Sequence, residues 1–390
     1  MDIKNQLRYI VSRVPALNSR LINKKINALY KHRIGSEKVA AGEASTTERN
    51  RILDECRESD KAYIEKFELN AAKQWEKSYY GRSGFTDRIT DDICSDILWC
   101  HVAYGFQADE YIMFDFVHKT NEERKKFISD TDRYEVYYRN NNFYDRMVFI
   151  DKYDTYKVFS EYYGRKAIKI KTKEDVDSFT KFAKMFKKLV VKNPTLSKGD
   201  SVRLIDTSDF SDEQIKEEFY RIVKEGTAIV EELIDQAEEL KQFHPSSVNT
   251  IRCTTILSEN DVIVFYPFIK IGRSGSFVDN GGKGGILAAV DVQNGVICSD
   301  GLDEFGEKYT VHPDTHIAIK GYSLPAWEEC LDLIKTCARK MKKVRIVGWD
   351  LAWTKKGWVI VEGNAQGQFV GQQGTNAKGL RYELLDVLQR

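Results

Sequence analysis

The stretch Gly348–Asn364, GWDLAWTKKGWVIVEGN, constrains this chain more than any other. Two apolar arms, Ile346–Trp353 and Trp358–Val361, flank Lys355-Lys356-Gly357. That pattern predicts a β-hairpin with a three-residue loop, in which Gly357 takes the left-handed conformation at no steric cost. Such a loop pairs Thr354 with Trp358. Counting outward then sets Asp350 opposite Glu362, with Cβ atoms about 5 Å apart. Asn364 falls on the same face, because side chains alternate along a strand. Two carboxylates placed directly opposite each other repel. A divalent cation would offset that repulsion, and hard cations take carboxylate and amide oxygens. The plainer reading is a half-exposed hairpin whose polar face meets water.

The rest of the chain bounds the choice. Its 390 residues leave room for two or three domains with real cores. A hydrophobic content of 42% and a charged content of 31% are those of a globular protein. A net charge of +1 gives no push toward nucleic acid, and no nucleic-acid partner is expected. The 7 Cys form no C-x-x-C pair, and Cys253, Cys298, Cys330 and Cys337 lie in apolar segments. Reduced thiols in a reducing compartment follow. The N-terminus lacks the apolar core of a signal peptide, and no run is long enough to span a bilayer. The expectation is a cytoplasmic protein.

Residues 3–35 are basic and carry apolar residues near helical spacing, with a kink expected at Pro15. Two readings stand for this stretch. It lies on an anionic membrane as a peripheral amphipathic helix at the inner face, or it packs on its own domain with a solvated basic face, the commoner use of such a stripe. Lys38–Ser45 reads as a linker. Ser45 with Glu48 caps a long charged helix through about Tyr79, and Thr120 with Glu123 caps a short one. Short strands then alternate with helices. The strands are expected at Met147–Ile150, Lys166–Lys171, Leu189–Asn193, Val202–Asp206, Ala228–Ile234, Thr250–Leu257 and Val262–Ile271. A hairpin, Ala288–Val292 with Val296–Ser299, turns about Asn294-Gly295. The class is α+β, with helices laid on antiparallel sheets. The expected organisation is a helical region (1–105), a small α/β segment (106–165), a lid (166–235) and a central and C-terminal unit (236–390).

Several residues carry chemistry. Lys192 interrupts an apolar strand, so it needs an anion or a route to water. The polar loop after it holds Ser197, Gly199 and Ser201, and such loops offer backbone N–H groups to phosphate. The plainer reading is a strand-end lysine reaching solvent beside a surface turn. Asp151 suits a helix N-terminus, whereas Lys152 beside it does not, unless an anion holds it there. Glu231-Glu232-Leu233-Ile234 is an apolar strand broken by acids. Its backbone would offer hydrogen bonds to adenine, and Glu238 or Glu239 would accept from ribose hydroxyls. Equally, these acids are solvated. Arg252 near a strand start suits the gripping of a phosphoryl group. So does Arg273, which with Lys283 lies in the Gly-rich stretch 272–285. Walker A, dinucleotide-fingerprint and H-E-x-x-H motifs are missing. The six His are isolated, and His244, in HPSSVNTIR, is the one to watch.

Taken in order, this series resembles the ATP-grasp superfamily. The match runs through Asp151-Lys152, Lys192 with its loop, Glu231-Glu232-Leu233-Ile234, Arg252, and finally Asp350 with Glu362-x-Asn364. HPSSVNTIR, FVDNGGKGG and GWDLAW…VEGN are similar to the sugar-transfer-associated branch. The resemblance covers roughly residues 110–375. It implies two α+β subdomains clasping ATP between antiparallel sheets, behind a helical N-terminal region. It implies that Lys152 and Lys192 bind phosphates, with Ser197, Gly199 and Ser201 in the folding loop. The strand Glu231, Glu232, Leu233, Ile234 would contact adenine. The ribose acid stays open between Glu238 and Glu239. Asp350, Glu362 and Asn364 would hold two Mg²⁺, with Mn²⁺ as a substitute. Arg252, with Arg273 and Lys283, would grip the transferring group. The implied activity is an ATP-dependent carboxylate–amine ligase working through an acyl phosphate. Its substrates would be a small carboxylate and an amine, sugar-linked in surface-polysaccharide assembly. The alternatives are an ATP-grasp kinase acting on a hydroxyl and a non-catalytic nucleotide-binding module.

Overall fold

The computed structural model describes residues 11, 14–82, 90–195, 202–259, 261–276, 279 and 284–390. Two antiparallel sheets carry the architecture. The smaller one holds β1 (Ala167–Ile170), β2 (Lys188–Lys192), β3 (Arg203–Asp206) and β4 (Ala228–Glu232), in the order β1-β4-β2-β3. The helices Val176–Phe186 and Asp212–Glu225 lie on it. Phe179 and Phe219 from the helices join Ile170, Leu189 and Val230 from the strands in one core. The second helix starts where it does because Ser211 and Gln214 cap each other's backbone N–H groups.

The larger sheet holds β5 (Thr250–Leu257), β6 (Val262–Ile271), β7 (Ile286–Ala289), β8 (Gly301–Leu302), β9 (Lys308–Tyr309), β10 (Ile346–Thr354) and β11 (Gly357–Asn364). Its order is β11-β10-β5-β6-β7-β8-β9. One face of it packs Ile251, Cys253, Trp349 and Leu351 with Cys330, Ile334 and Cys337 of the helix Trp327–Lys340. On the other face, Phe268, Leu287 and Leu302 join a core built by the N-terminal helices, with Trp75, Trp99 and Phe116. The helical region is therefore built into the sheet.

The hairpin closes differently from the expectation, and its far end is unchanged. Thr354 pairs with Gly357, so the loop is Lys355-Lys356 and not three residues. The Thr354 hydroxyl accepts from Lys356 N–H and donates to the Gly357 carbonyl, which tightens the turn, and Gly357 sits at φ +98°. The resulting one-residue slip is absorbed by a β-bulge: Leu351 pairs with Ile360, Asp350 with Glu362, and Val361 is the extra residue. Gly348 then pairs with Asn364, which keeps Glu362 and Asn364 on one face.

Other expectations change. Met147–Ile150 is not a strand; the 3-10 turn Asp145–Phe149 takes its place, and 106–165 is helical apart from an isolated bridge, Asn141 to Val344. Lys38–Ser45 is not a linker but most of the helix Ser36–Ala44. Gly42 is small there because a Cβ would lie 2.3 Å from the Trp99 ring. The long charged helix breaks at Asp60 into Thr46–Ser59 and Lys61–Lys77. Pro15 opens the helix Pro15–Leu29, where its missing N–H costs nothing; most of the residues before it lie outside the described residues. Ile22 and Ile26 of this helix are buried, and Tyr30 and Arg33 just beyond it bind Asp132. All seven cysteines are free, and Cys298 is exposed. Among the described residues, no helix is long and apolar enough to cross a membrane.

Candidate active site

The hairpin puts Asp350 on the face of the larger sheet that looks toward the helical region. It is 5% exposed. Arg252 stands directly across on β5 and grips both its oxygens, Nε to Oδ1 at 2.5 Å and Nη2 to Oδ2 at 2.8 Å. Lys270 of β6 adds a third donor at 3.1 Å. Burial alone would raise the Asp350 carboxyl; the Arg252 guanidinium and Lys270 ammonium overcome that and hold it below the usual range. Two glycines make room for Arg252. A Cβ on Gly348 would lie 3.3 Å from its Cδ, and one on Gly367 would lie 3.3 Å from its Nη1. Lys270 is also 3.9 Å from Asp279. Asp279 in turn accepts from the Thr250 N–H at 2.9 Å and from the Thr250 hydroxyl. Burial pushes the Asp279 carboxyl up, against Lys270 and Thr250.

Glu362 is more open, with a third of its side chain exposed, and Lys152 Nζ lies 3.8 Å from it. Asn364 Oδ1 accepts from Gln366 N–H at 2.9 Å. Among the described residues, no group of three or more His, Cys, Asp or Glu is set to hold a metal. The expected set differs from such a group: two carboxylates and one amide, all hard oxygen donors on one face of the hairpin. Its chemistry fits Mg²⁺ and leaves coordination positions for water or phosphate oxygens.

The lysine of the smaller sheet has its anion inside the protein. Lys192 Nζ binds Glu231 Oε2 at 2.9 Å. Glu231, 3% exposed, also accepts from Arg165 Nε at 2.9 Å. Arg165 reaches on to β11, donating to the Ile360 carbonyl at 2.6 Å and the Val361 carbonyl at 3.1 Å. Of the expected adenine-contacting strand, the Glu231 side chain is thus a buried counter-ion and not a solvated acid. The Glu232 carboxylate accepts from Lys166 N–H, and Leu233 N–H donates to Lys188 O. Glu238 and Glu239 open the helix Glu238–Lys241. Asp151 caps the helix Lys152–Phe159 and binds Lys169 at 2.6 Å. Lys152 N–H donates to Pro194 O, which ties that helix to the loop after β2. Arg273 binds Asp303 at 2.9 Å and the Tyr309 hydroxyl. Ser197, Gly199, Ser201 and Lys283 lie outside the described residues.

Sequence reasoning missed Arg165, Lys270 and Asp279. Lys270 had a signal, since Phe-Ile-Lys-Ile repeats the logic applied to Lys192: a lysine inside an apolar strand. Asp279 lies in FVDNGGKGG, a motif in which only Lys283 has an expected role, and Arg165 had no signal, because its partners are far along the chain.

Two antiparallel sheets joined through Arg165, with Lys270 on Asp350 and Lys152 beside the Glu362 of a Glu-x-Asn strand, make up the arrangement of the ATP-grasp class. Residues 137–389 match the family described as sugar-transfer associated ATP-grasp, and the chain belongs to that family. No curated protein matches it. Among solved structures it is similar to a D-alanyl-alanine synthetase A from Vibrio cholerae, at 9% identity over 64% of this chain and 66% of that one, TM-score 0.41. A D-alanine–D-alanine ligase from Bacillus anthracis follows at 14% identity, 64% and 69% coverage, TM-score 0.39. The ATP-grasp ligase PsnB, complexed with a precursor variant, Mg and ADP, follows at 12% identity, 67% and 66% coverage, TM-score 0.39. The chain spans about two thirds of the length of these structures.

Proposed function

We propose that this protein is an ATP-dependent carboxylate–amine ligase, acting on a sugar-linked substrate. The observation that carries the reading is the hairpin face that holds Asp350, Glu362 and Asn364, where Arg252 and Lys270 bind Asp350 and Lys152 stands beside Glu362. The family's description, sugar transfer, supports the substrate class.

A substrate carboxylate oxygen attacks the γ-phosphorus of ATP, and ADP leaves. The resulting acyl phosphate meets an amine, whose nitrogen attacks the carbonyl carbon. Phosphate departs and the nitrogen loses a proton, giving an amide. The residues position and stabilise more than they react. Arg252 and Lys270 present fixed N–H donors to the transferring phosphoryl group, and Lys152 and Lys192 hold the remaining phosphates. Asp350, Glu362 and Asn364 would hold Mg²⁺, which neutralises triphosphate charge when bound. In this reading the smaller sheet, tied to the hairpin through Arg165, is the lid that keeps water from the acyl phosphate.

Thermal melting with Mg²⁺ and ATP tests the site, since a ligand bound to the native state raises the midpoint. Wild type should shift, and Glu362→Gln should not. Phosphate release that requires both a carboxylate and an amine identifies the ligase. Phosphate retained on the substrate would instead indicate a kinase, and no shift at saturating ATP would favour a non-catalytic role.

A further inference from the structure

The motif HPSSVNTIR carries more buried polarity than the reaction above uses. His244, Ser247 and Asn249 are all buried, and they converge on Gly272. Asn249 Oδ1 accepts the Gly272 N–H at 3.2 Å. A Cβ on Gly272 would lie 2.2 Å from Ser247 Oγ and 2.7 Å from His244 Nδ1, so these side chains press directly on the peptide. The Gly272 carbonyl faces His312 Nε2 at 2.8 Å. His312 Nδ1 faces the N–H groups of Asp314 and Thr315 and the Thr315 hydroxyl. Nδ1 is therefore the acceptor, and Nε2 carries the proton given to Gly272. Two residues further on, Ser274 N–H donates to Asp314 Oδ2 at 2.6 Å.

The residue between these two anchored peptides is Arg273. Ser274 sits at φ +55° and Gly275 at φ +70°. A serine in that region persists only where its surroundings hold it. The guanidinium end is held as well, by Asp303 and Tyr309. A guanidinium carries five N–H donors, so donors remain for an anion. Asn249 also reaches the other way: its N–H and Nδ2 donate to Gln236 Oε1, and Gln236 Nε2 donates to its carbonyl. Gln236 lies just beyond the strand expected to meet adenine. The next residue, Thr250, holds Asp279.

We propose that His244, Ser247, Asn249, His312 and Asp314 form a positioning unit that fixes Arg273 to receive the carboxylate substrate. For what Arg273 touches, this rests on the ligase reading; for where Arg273 is held, it does not.

The test uses the full chain with four variants, His312→Ala, His312→Gln, Asp314→Ala and Asp314→Asn. Gln retains an N–H for the Gly272 carbonyl, and Asn retains an acceptor for Ser274. Amide hydrogen exchange across residues 271–276 should quicken at least tenfold in both Ala variants. It should return most of the way in Gln and Asn, with melting midpoints little changed. Phosphate release from Mg²⁺ and ATP is then measured with a mixture of hexuronic acids and amino acids. His312→Ala should lower it as Arg273→Ala does, and the double variant should be no worse than Arg273→Ala alone. Unchanged exchange in the Ala variants overturns the positioning unit, and additive losses overturn its action through Arg273. Wild type that releases no phosphate counts against the ligase reading instead, and exchange then decides the positioning unit by itself.

Discussion

Arg165 and Glu231 form a buried ion pair, Nε to Oε2 at 2.9 Å, on the seam between the two sheets. Burial favours a neutral Glu231, but Arg165 and Lys192 win and hold its carboxyl at about 2, against an ordinary 4.5. A carboxyl depressed in the folded state adds stability above its unfolded value and loses it as pH falls through the folded one. The separation corresponds to about 3 kcal/mol. That stability is fully present above pH 4.5 and drains away between about pH 4.5 and 2. Urea denaturation of wild type and Glu231→Gln across this range should show wild type losing stability faster. Parallel pH dependences would contradict the assignment.

Lys192 can be removed without stranding Glu231, because Arg165 remains. Lys192→Met should therefore cost under about 2 kcal/mol of stability, less than the 3–5 kcal/mol typical of a buried charge left alone. Its effect should appear in the nucleotide: the midpoint rise with Mg²⁺ and ATP should fall to a small fraction of the wild-type rise. A full rise in this variant would remove Lys192 from the phosphate site.

Asp350 and Glu362 should behave differently despite facing each other. Asp350→Asn leaves Arg252 and Lys270 buried beside an amide. We expect it to lower stability by about 3 kcal/mol as well as to abolish Mg²⁺-dependent nucleotide binding. Glu362 is a third exposed and meets Lys152 only at 3.8 Å. Glu362→Gln should keep the apo midpoint within a few degrees and still lose the Mg²⁺-dependent rise, as should wild type with EDTA. Glu362→Gln is thus the cleaner probe of the metal. An undiminished rise in it would argue against the hairpin as the metal site.

The hairpin shows how much was legible. The pairing of Asp350 with Glu362 was reached by counting outward from a three-residue loop, and it holds although the loop is one residue shorter. Two departures, a tight turn and a bulge at Val361, cancelled. Local signals of this kind (alternation, the Ser45 and Thr120 caps, the strand that carries Lys192) need only neighbours in sequence. Arg165, Asp279 and the packing of Gly42 under Trp99 depend on partners brought together by the fold. Met147–Ile150 failed because four apolar residues do not distinguish a strand from a half-buried turn.

The helical region is a structural part of the sheet, and Gly371 tests this. It lies in the short helix Val370–Thr375, soon after the hairpin, and a Cβ there would stand 2.4 Å from Phe268 Cζ. Phe268 is held in turn among the residues that the N-terminal helices bury. The ring cannot yield without disturbing that core, so Gly371→Ala should cost about 1–3 kcal/mol as an overpacked site. Phe268→Leu in the same chain removes the ring edge and should recover part of the loss, because the two substitutions share one contact. Urea transitions followed by tryptophan fluorescence should move as one, since Trp75 and Trp99 report the helical region and Trp349 the sheet. Two separated transitions would mean that the N-terminal helices fold as an independent unit resting on the sheet.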